Sequence, residues 1–389
     1  MSFGETLLSA VGITEMTFPM AIMILLALSL AYLAIVKKYE PLLLLPLAFG
    51  ILIANIPVAG LDAYFIYEDG RRGLMNFLYQ GIIGVIYPPL VFLCIGSMTD
   101  FGPLISSPRS ALIGLGGQLG IFVAFGTSLL LGNVLAPIIP GFDGFSLNEA
   151  ASIAIIGSSD GPTSIFTATN LAPDLLPSVA IAAFSYMALV PFIQPPIMRL
   201  LTTDKERLVI MPEPKKVTQR QKIIFPIAVT IVTLLLVPAA GGLVSMLMLG
   251  NLLKESGVTE RYVRSLQNDV LNVLTLLVGL SIGSSATADR FLTPPTLIIV
   301  ACGLLAFVFG TVGGILIAKL LCAVTGGKVN PLIGNSGVSA MPMAARISQR
   351  MGQKYNPQNH LLMHAMGPIV ASTIGSALIA GIFIAFFSA

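Results

Sequence analysis

Apolar residues fill long, nearly unbroken segments of this chain, separated by short polar connections. A helix needs about 20 such residues to cross the hydrocarbon core of a bilayer. Segments of this kind lie near 17–36, 41–58, 81–98, 110–137, 176–198, 223–250, 267–285, 294–323 and 361–387. Two further stretches, 147–172 and 330–350, mix apolar and polar residues and are rich in Gly, Ser and Pro where the pattern implies membrane depth. The pattern predicts an all-α polytopic membrane protein with two broken or re-entrant helices.

Composition agrees with that reading. Of 389 residues, 55% are hydrophobic and 10% are charged, against about 25% charged in a soluble globular chain. That is too little charge to cover a water-facing surface. A net charge of +3 gives no reason to expect nucleic acid as a partner. The N-terminus lacks a basic n-region and carries Glu5 and Glu15, so the first apolar stretch is expected to stay as a span rather than be removed as a secretory signal. Cys94, Cys302 and Cys322 sit in apolar runs without metal or disulfide spacing.

The longest polar connection, 199–222, holds Arg199, Lys205, Arg207, Lys215, Lys216, Arg220 and Lys222 against Asp204, Glu206 and Glu213. Short loops rich in Lys and Arg stay in the cytoplasm. This linker, and the loop with Lys37 and Lys38, are therefore expected on the cytoplasmic side.

The halves flanking the linker share an order of motifs. Residues 94–104 read CIGSMTDFGPL and residues 281–292 read SIGSSATADRFL. Each ends a span with I-G-S, then an Asp, and each is followed by a Gly-rich apolar helix. Next comes GSSDGPTSI at 157–165 in one half and GNSGVSAMP at 334–342 in the other. The chain thus divides into a half over 1–198 with broken element 147–172, the linker 199–222, and a half over 223–389 with broken element 330–350. Paired interrupted segments at corresponding positions point to a transporter binding site. An odd number of passes per half would make the repeats inverted, and the two broken elements would form a moving core against the other spans, an elevator-like architecture.

The candidate chemistry lies at the breaks. Around Asp160, Gly157, Gly161 and Pro162 interrupt a helical pattern, and freed backbone groups in lipid cost several kcal/mol unless protein or water satisfies them. A carboxylate at mid-membrane costs about 2.5–3.5 kcal/mol to insert. A hard cation such as Na+ offsets this, with oxygen ligands from Asp160, Ser158, Ser159, Thr163, Ser164 and exposed carbonyls. Asp160 is equally placed to N-cap the following helix, and the two roles are compatible. The second break offers Asn330, Asn335, Ser336 and Ser339 around Gly334 and Gly337. Arg346 follows; it fits either a two-pronged carboxylate clamp or an interfacial anchor beside Arg350 and Lys354. Tyr186 is a lone phenol in an apolar span, a packed aromatic or a proton donor beside a cation. Gln194 is a weaker polar candidate. His360 and His364 lie four apart but lack the Glu of a zinc motif.

GSSDGPTSIF at 157–166, NPLIGNSGVSAMPMAARIS at 330–348 and NPQNHLLMHAMGP at 356–368 closely resemble the β subunits of sodium-transporting biotin-dependent decarboxylases, the oxaloacetate, methylmalonyl-CoA and glutaconyl-CoA decarboxylase family. The resemblance implies that carboxybiotin, presented by a partner subunit and not covalently bound here, is decarboxylated at this subunit. Release of CO2 then drives Na+ export and consumes a proton. It implies Na+ ligands at Asp160, Asn330, Ser336, Ser339 and Tyr186. Tyr186 would alternatively deliver the proton, Gly334 would permit close backbone approach, and Arg346 would hold the carboxybiotin anion, so that Arg346, Tyr186 and Asp160 carry the chemistry and Arg346, Gly334 and Ser339 the cofactor contact. The implied partners are a carboxyltransferase α subunit, a biotin carrier domain or subunit, a small membrane γ/δ subunit and membrane lipid, with room for a homo-oligomer. The implied location is the bacterial cytoplasmic (inner) membrane. Relatives often carry Asn where this chain has Ile369. An ordinary Na+-coupled transporter of a small carboxylate would explain the breaks and charges but not the motifs. An aspartyl protease lacks its second Asp, and a scaffold leaves Asp160 unexplained.

Overall fold

Helices form nearly every regular element of residues 12–213 and 215–388, the part of the chain described by the computed structural model. The order is α1 (Phe18–Ile35), α2 (Pro41–Ala54), α3 (Leu74–Ile83), α4 (Tyr87–Met98), α5 (Ser110–Leu135), α6 (Leu147–Ala154), α7 (Gly161–Leu171) and α8 (Leu176–Leu201). After the linker come α9 (Gln219–Leu236), α10 (Gly241–Ser256), α11 (Glu260–Ser285), α12 (Pro294–Val324), α13 (Met343–Tyr355) and α14 (Leu362–Phe387). Among the described residues, α1, α5, α9, α11, α12 and α14 are long and apolar enough to cross a membrane, and two bent segments raise the number from six to eight. The protein is a multi-pass, all-helical membrane protein.

Proline and backbone sterics set where the helices bend. α3 and α4 meet at 66°, at a turn where Val85 has a φ of 55° and Pro88 and Pro89 follow. α8 bends by 61° between Met187 and Leu189; Pro191 lacks the amide that would bond the Met187 carbonyl. The sequence pattern predicts a single span over 223–250, and the structure corrects this. Pro238 cannot donate to the Leu234 carbonyl, so the chain turns at Pro238–Ala240 and divides into α9 and α10, which pack on each other.

The helices fall into two groups. In the first, α2 lies along α11 and α10 along α4, with α1 flanking α2 and α9 flanking α10. These pairings are reciprocal between the two halves. Small residues allow backbones to touch: a Cβ on Gly96 would fall 1.9 Å from the Leu247 carbonyl oxygen, and one on Gly283 2.2 Å from that of Leu47. Both glycines belong to the I-G-S segments. Asn55 Nδ2 donates to the Ala286 carbonyl and Asn251 Nδ2 to that of Thr99, each at 2.9 Å.

In the second group α5 packs on α12, with α8 against α12, α14 against the first turns of α5, and both broken elements between them. The second broken element is a 3-10 turn over Pro331–Gly337 followed by α13. Its flanking residues Asn330 and Asn359 both donate to the carbonyls of Arg207 and Val209, at 2.8 to 3.2 Å. The element therefore enters and leaves on the same face, the face of the linker. Arg207 secures that face: its guanidinium bonds Asp204 at 2.7 Å and lies over the Tyr355 ring. Nearby, Lys222 Nζ meets Asp100 Oδ1 at 3.0 Å. Burial acts to raise the Asp100 carboxyl, but the Gly102 amide and Lys222 outweigh it and hold it below its ordinary value.

Candidate functional site

The first broken element runs α6, a 3-10 turn over Ile155–Ser158, then α7. α6 opens with a reciprocal cap between Ser146 and Glu149. At the break Ser159 has a φ of 56°, a left-handed conformation that costs an L-residue about 1–2 kcal/mol. Asp160 follows and N-caps α7, accepting from the Thr163 amide at 3.3 Å. Its second oxygen lies 3.0 Å from the Ser376 hydroxyl on α14. Asp160 is 5% exposed.

The second break closes on the first. The Ser339 amide donates to the Ser158 carbonyl at 2.8 Å, so the two interruptions touch through backbone. The Ser339 and Gln118 side chains both donate to Ser372 Oγ, at 3.1 and 2.9 Å. Among the described residues, Ser159 Oγ, the Thr163 hydroxyl and Gln118 Oε1 are buried without a hydrogen-bond partner. A buried carboxylate among uncommitted and hydroxyl oxygens, with no Lys or Arg contacting it among the described residues, fits a hard monovalent cation.

Other candidates lie elsewhere. Asn330 is committed to the linker carbonyls and to the Leu332 amide at 2.9 Å, away from Asp160. Ser336 lies inside the second element, where Asn335 accepts from Ser348 and Ser336 and donates to Gln194 Oε1 at 2.9 Å. That network joins α8 to the second broken element and leaves the Asn335 amide fully used. Gly334 presses on α12, where a Cβ would fall 2.4 Å from Ile315 Cα. Tyr186 is buried; its hydroxyl donates to the Val300 carbonyl, and its ring packs with Ile156 over Gly303.

Arg346 is exposed on α13 and lines a cavity of about 200 Å3 with Lys38, Glu40 and Arg350. Pro191, just past the bend in α8, forms another part of the wall. Glu40 lines the cavity, where loss of solvation raises its carboxyl above the ordinary value and Arg346 partly offsets this. Three cations against one carboxylate make the cavity attractive to an anion.

The sequence reading missed Gln118, Ser372 and Ser376. The signal was present: a lone Gln in an apolar span, and A-S-T-I-G-S at 371–376 in another. The rule that makes Asp160 stand out, that polar groups at membrane depth need a reason, applies to them too.

A family profile described as the Na+-transporting oxaloacetate decarboxylase beta subunit matches residues 19–387. The chain is 49% identical to the methylmalonyl-CoA decarboxylase subunit beta of Veillonella parvula over 99% of this chain and 97% of the relative. It is 47% identical to the glutaconyl-CoA decarboxylase subunit beta of Acidaminococcus fermentans over 96% and 95%. It is 42% identical to the oxaloacetate decarboxylase beta chain of Klebsiella pneumoniae over 97% of each.

Proposed function

Because this chain belongs to the family of Na+-transporting decarboxylase β subunits, and so works with partner subunits, we propose that it decarboxylates carboxybiotin and uses that reaction to export Na+. The observation that carries this reading is the contact of the two broken elements, Ser339 to Ser158, beside a buried Asp160 with uncommitted oxygens around it.

The ion site is Asp160 with Ser159, Thr163, Ser339, Gln118 and the α14 hydroxyls. Carboxybiotin enters from the linker face, the cytoplasmic side of the inner membrane, and its carboxylate meets Arg346, Lys38 and Arg350. A carboxyltransferase α subunit would supply the carboxyl group through a biotin carrier, with a small γ/δ subunit in the complex. Loss of CO2 leaves the biotin ring nitrogen to take up one proton, which Tyr186 would deliver as the α8 bend moves it off Val300. Coupling follows from one rigid piece: the second broken element carries Arg346 on the anion cavity and Ser339 on the ion site. Moving one charge against about 100 mV requires about 2.3 kcal/mol, which the irreversible loss of CO2 supplies.

The reciprocal packing of α2 on α11 and α10 on α4 supports inverted repeats. Counting each bent segment as one pass and taking the shorter helices α2 and α10 as crossings too, α1, α2, α3–α4, α5 and α8 give five in the first half, and α9 to α12 with α14 five in the second. An odd number inverts the second half. The first group would then be the static frame, and the second would move as an elevator.

The test is the complex with its biotin-bearing partners, reconstituted in vesicles, followed by Na+-dependent CO2 release and radiolabelled sodium uptake. Asp160→Asn should abolish the Na+ dependence of both. Full Na+-dependent activity in the variant would remove the ion site, and sodium uptake by the chain without biotin would instead indicate a carboxylate symporter.

A further inference from the structure

On the linker face, sharing no lining residue with the Arg346 cavity, a second cavity of about 360 Å3 opens between α5, α12, α14 and the linker. Three cations stand at its rim: Arg109 before α5, Lys328 after α12 and Lys215 in the linker. None has a carboxylate within 4.0 Å among the described residues. Glu213 and His364 also line the cavity, so with a neutral His its formal charge is +2. Its apolar lining includes Ile113, Leu321, Ile333 and the exposed Met363. The Ser106 and Ser110 hydroxyls donate to the carbonyls of Pro103 and Ser107, so recognition falls to the cations.

The cavity is not an isolated basic patch. Below it α5 and α12 touch where a Cβ on Gly313 would fall 2.2 Å from the Gly116 carbonyl oxygen. On either side of that seam Leu112, Leu115, Leu316, Leu320 and Val324 are exposed. A cationic pocket at the membrane surface thus continues into a lipid-facing apolar surface. A soluble anion would use the first feature and leave the second unexplained.

We propose that the cavity seats the phosphate headgroup of an anionic phospholipid, with its acyl chains along the exposed leucines of α5 and α12. Met211, Pro212, Glu213 and Lys215 line one side and Ile333, next to Gly334, another, so the bound headgroup ties the linker to the second broken element.

The probe is an equimolar mixture of phosphatidylglycerol and phosphatidylcholine added to the purified full chain in detergent, with retained lipid measured by native mass spectrometry. Phosphatidylglycerol should be retained preferentially and lost as salt is raised. Each cation near an anionic lipid is worth about a factor of five, so Lys328→Gln alone should weaken retention about fivefold and the Arg109, Lys215 and Lys328 triple glutamine variant about 100-fold. Lys37→Gln, on another loop, should change nothing. Lys328 is exposed, so the single variant remains informative if the triple one does not fold. Equal retention of the two lipids, unchanged retention in Lys328→Gln, or displacement of the lipid by millimolar inorganic phosphate would each overturn the proposal. None of these readouts depends on the decarboxylase reaction.

Discussion

Single residues decide which oxygens stay uncommitted at membrane depth. Gln118 is the sharpest case: its amide nitrogen is anchored on Ser372, and its oxygen has no partner among the described residues. A buried unsatisfied acceptor costs about 1–3 kcal/mol, a loss that a cation would recover. Gln118→Leu should therefore raise the sodium concentration for half-maximal rate about tenfold, equivalent to about 1.4 kcal/mol, while the rate at saturating sodium stays near the parent value. An unchanged sodium dependence would assign Gln118 to packing alone. Ile369 belongs to the same face. It is fully buried with the apolar residues of the second broken element, and Ser372 and Ser376 follow it at three and seven positions, on one stripe of α14. We propose that these two hydroxyls, one and two turns along, stand in for the amide that Ile369 does not supply. Asp160 and Ser339 were legible in the sequence because Gly and Pro beside them disrupt a helix. Gln118 and Ser372 sit in regular helix, where only their polarity marks them, and their meeting depends on packing between α5 and α14 that no local pattern encodes.

At the scale of elements, the breaks are held by glycine contacts between backbones rather than by side-chain interdigitation. A Cβ on Gly117 would lie 1.8 Å from the Gly337 carbonyl oxygen and 2.3 Å from its carbon. Backbone atoms cannot rotate aside as a side chain would, so α5 would be pushed off the second break, two residues before Ser339. Gly117→Ala should lower the thermal midpoint by the equivalent of about 3 kcal/mol or more and weaken sodium binding with it. Gly126, farther along α5, has nothing within 4 Å of its would-be Cβ; alanine there should be neutral or stabilise by up to about 1 kcal/mol. Thermal denaturation in detergent, followed by fluorescence of a thiol-reactive dye, compares the two, and equal effects would show that the tight contact carries no weight. Such contacts also explain which elements the sequence made legible. Long spans such as α12 announce themselves by length. The α9–α10 turn did not, because Pro238 lies in an apolar stretch that keeps its hydropathy across the break. The reentry of the second element on the linker face depends on Asn330 and Asn359 both reaching the same two carbonyls, a coincidence of distant positions.

At the scale of the whole molecule, transport by an elevator requires relative movement of the two helix groups, so contacts within a group should persist while contacts between them break. Asn251 and Thr99 are in contact inside the first group, Nδ2 to carbonyl at 2.9 Å. Thr99 also reaches across to the second group, where its hydroxyl lies 3.6 Å from the Met341 sulfur at the tip of the second break. Cysteine pairs at these positions separate the two kinds of contact, in a background with Cys94, Cys302 and Cys322 changed to serine. Oxidising the Thr99→Cys/Met341→Cys pair should fasten the second broken element to the frame and stop sodium uptake, with recovery on reduction. Oxidising Thr99→Cys/Asn251→Cys should leave uptake near the reduced rate, because both residues stay in the frame. If the first pair transports normally once mass spectrometry shows the bond formed, the second break does not move against α4. Decarboxylation measured alongside distinguishes two kinds of arrest. Continued CO2 release with uptake stopped would mean that the chemistry at Arg346 runs without the movement. Joint arrest is expected, because Arg346 and Ser339 ride on the same rigid element and neither can complete its cycle while that element is held.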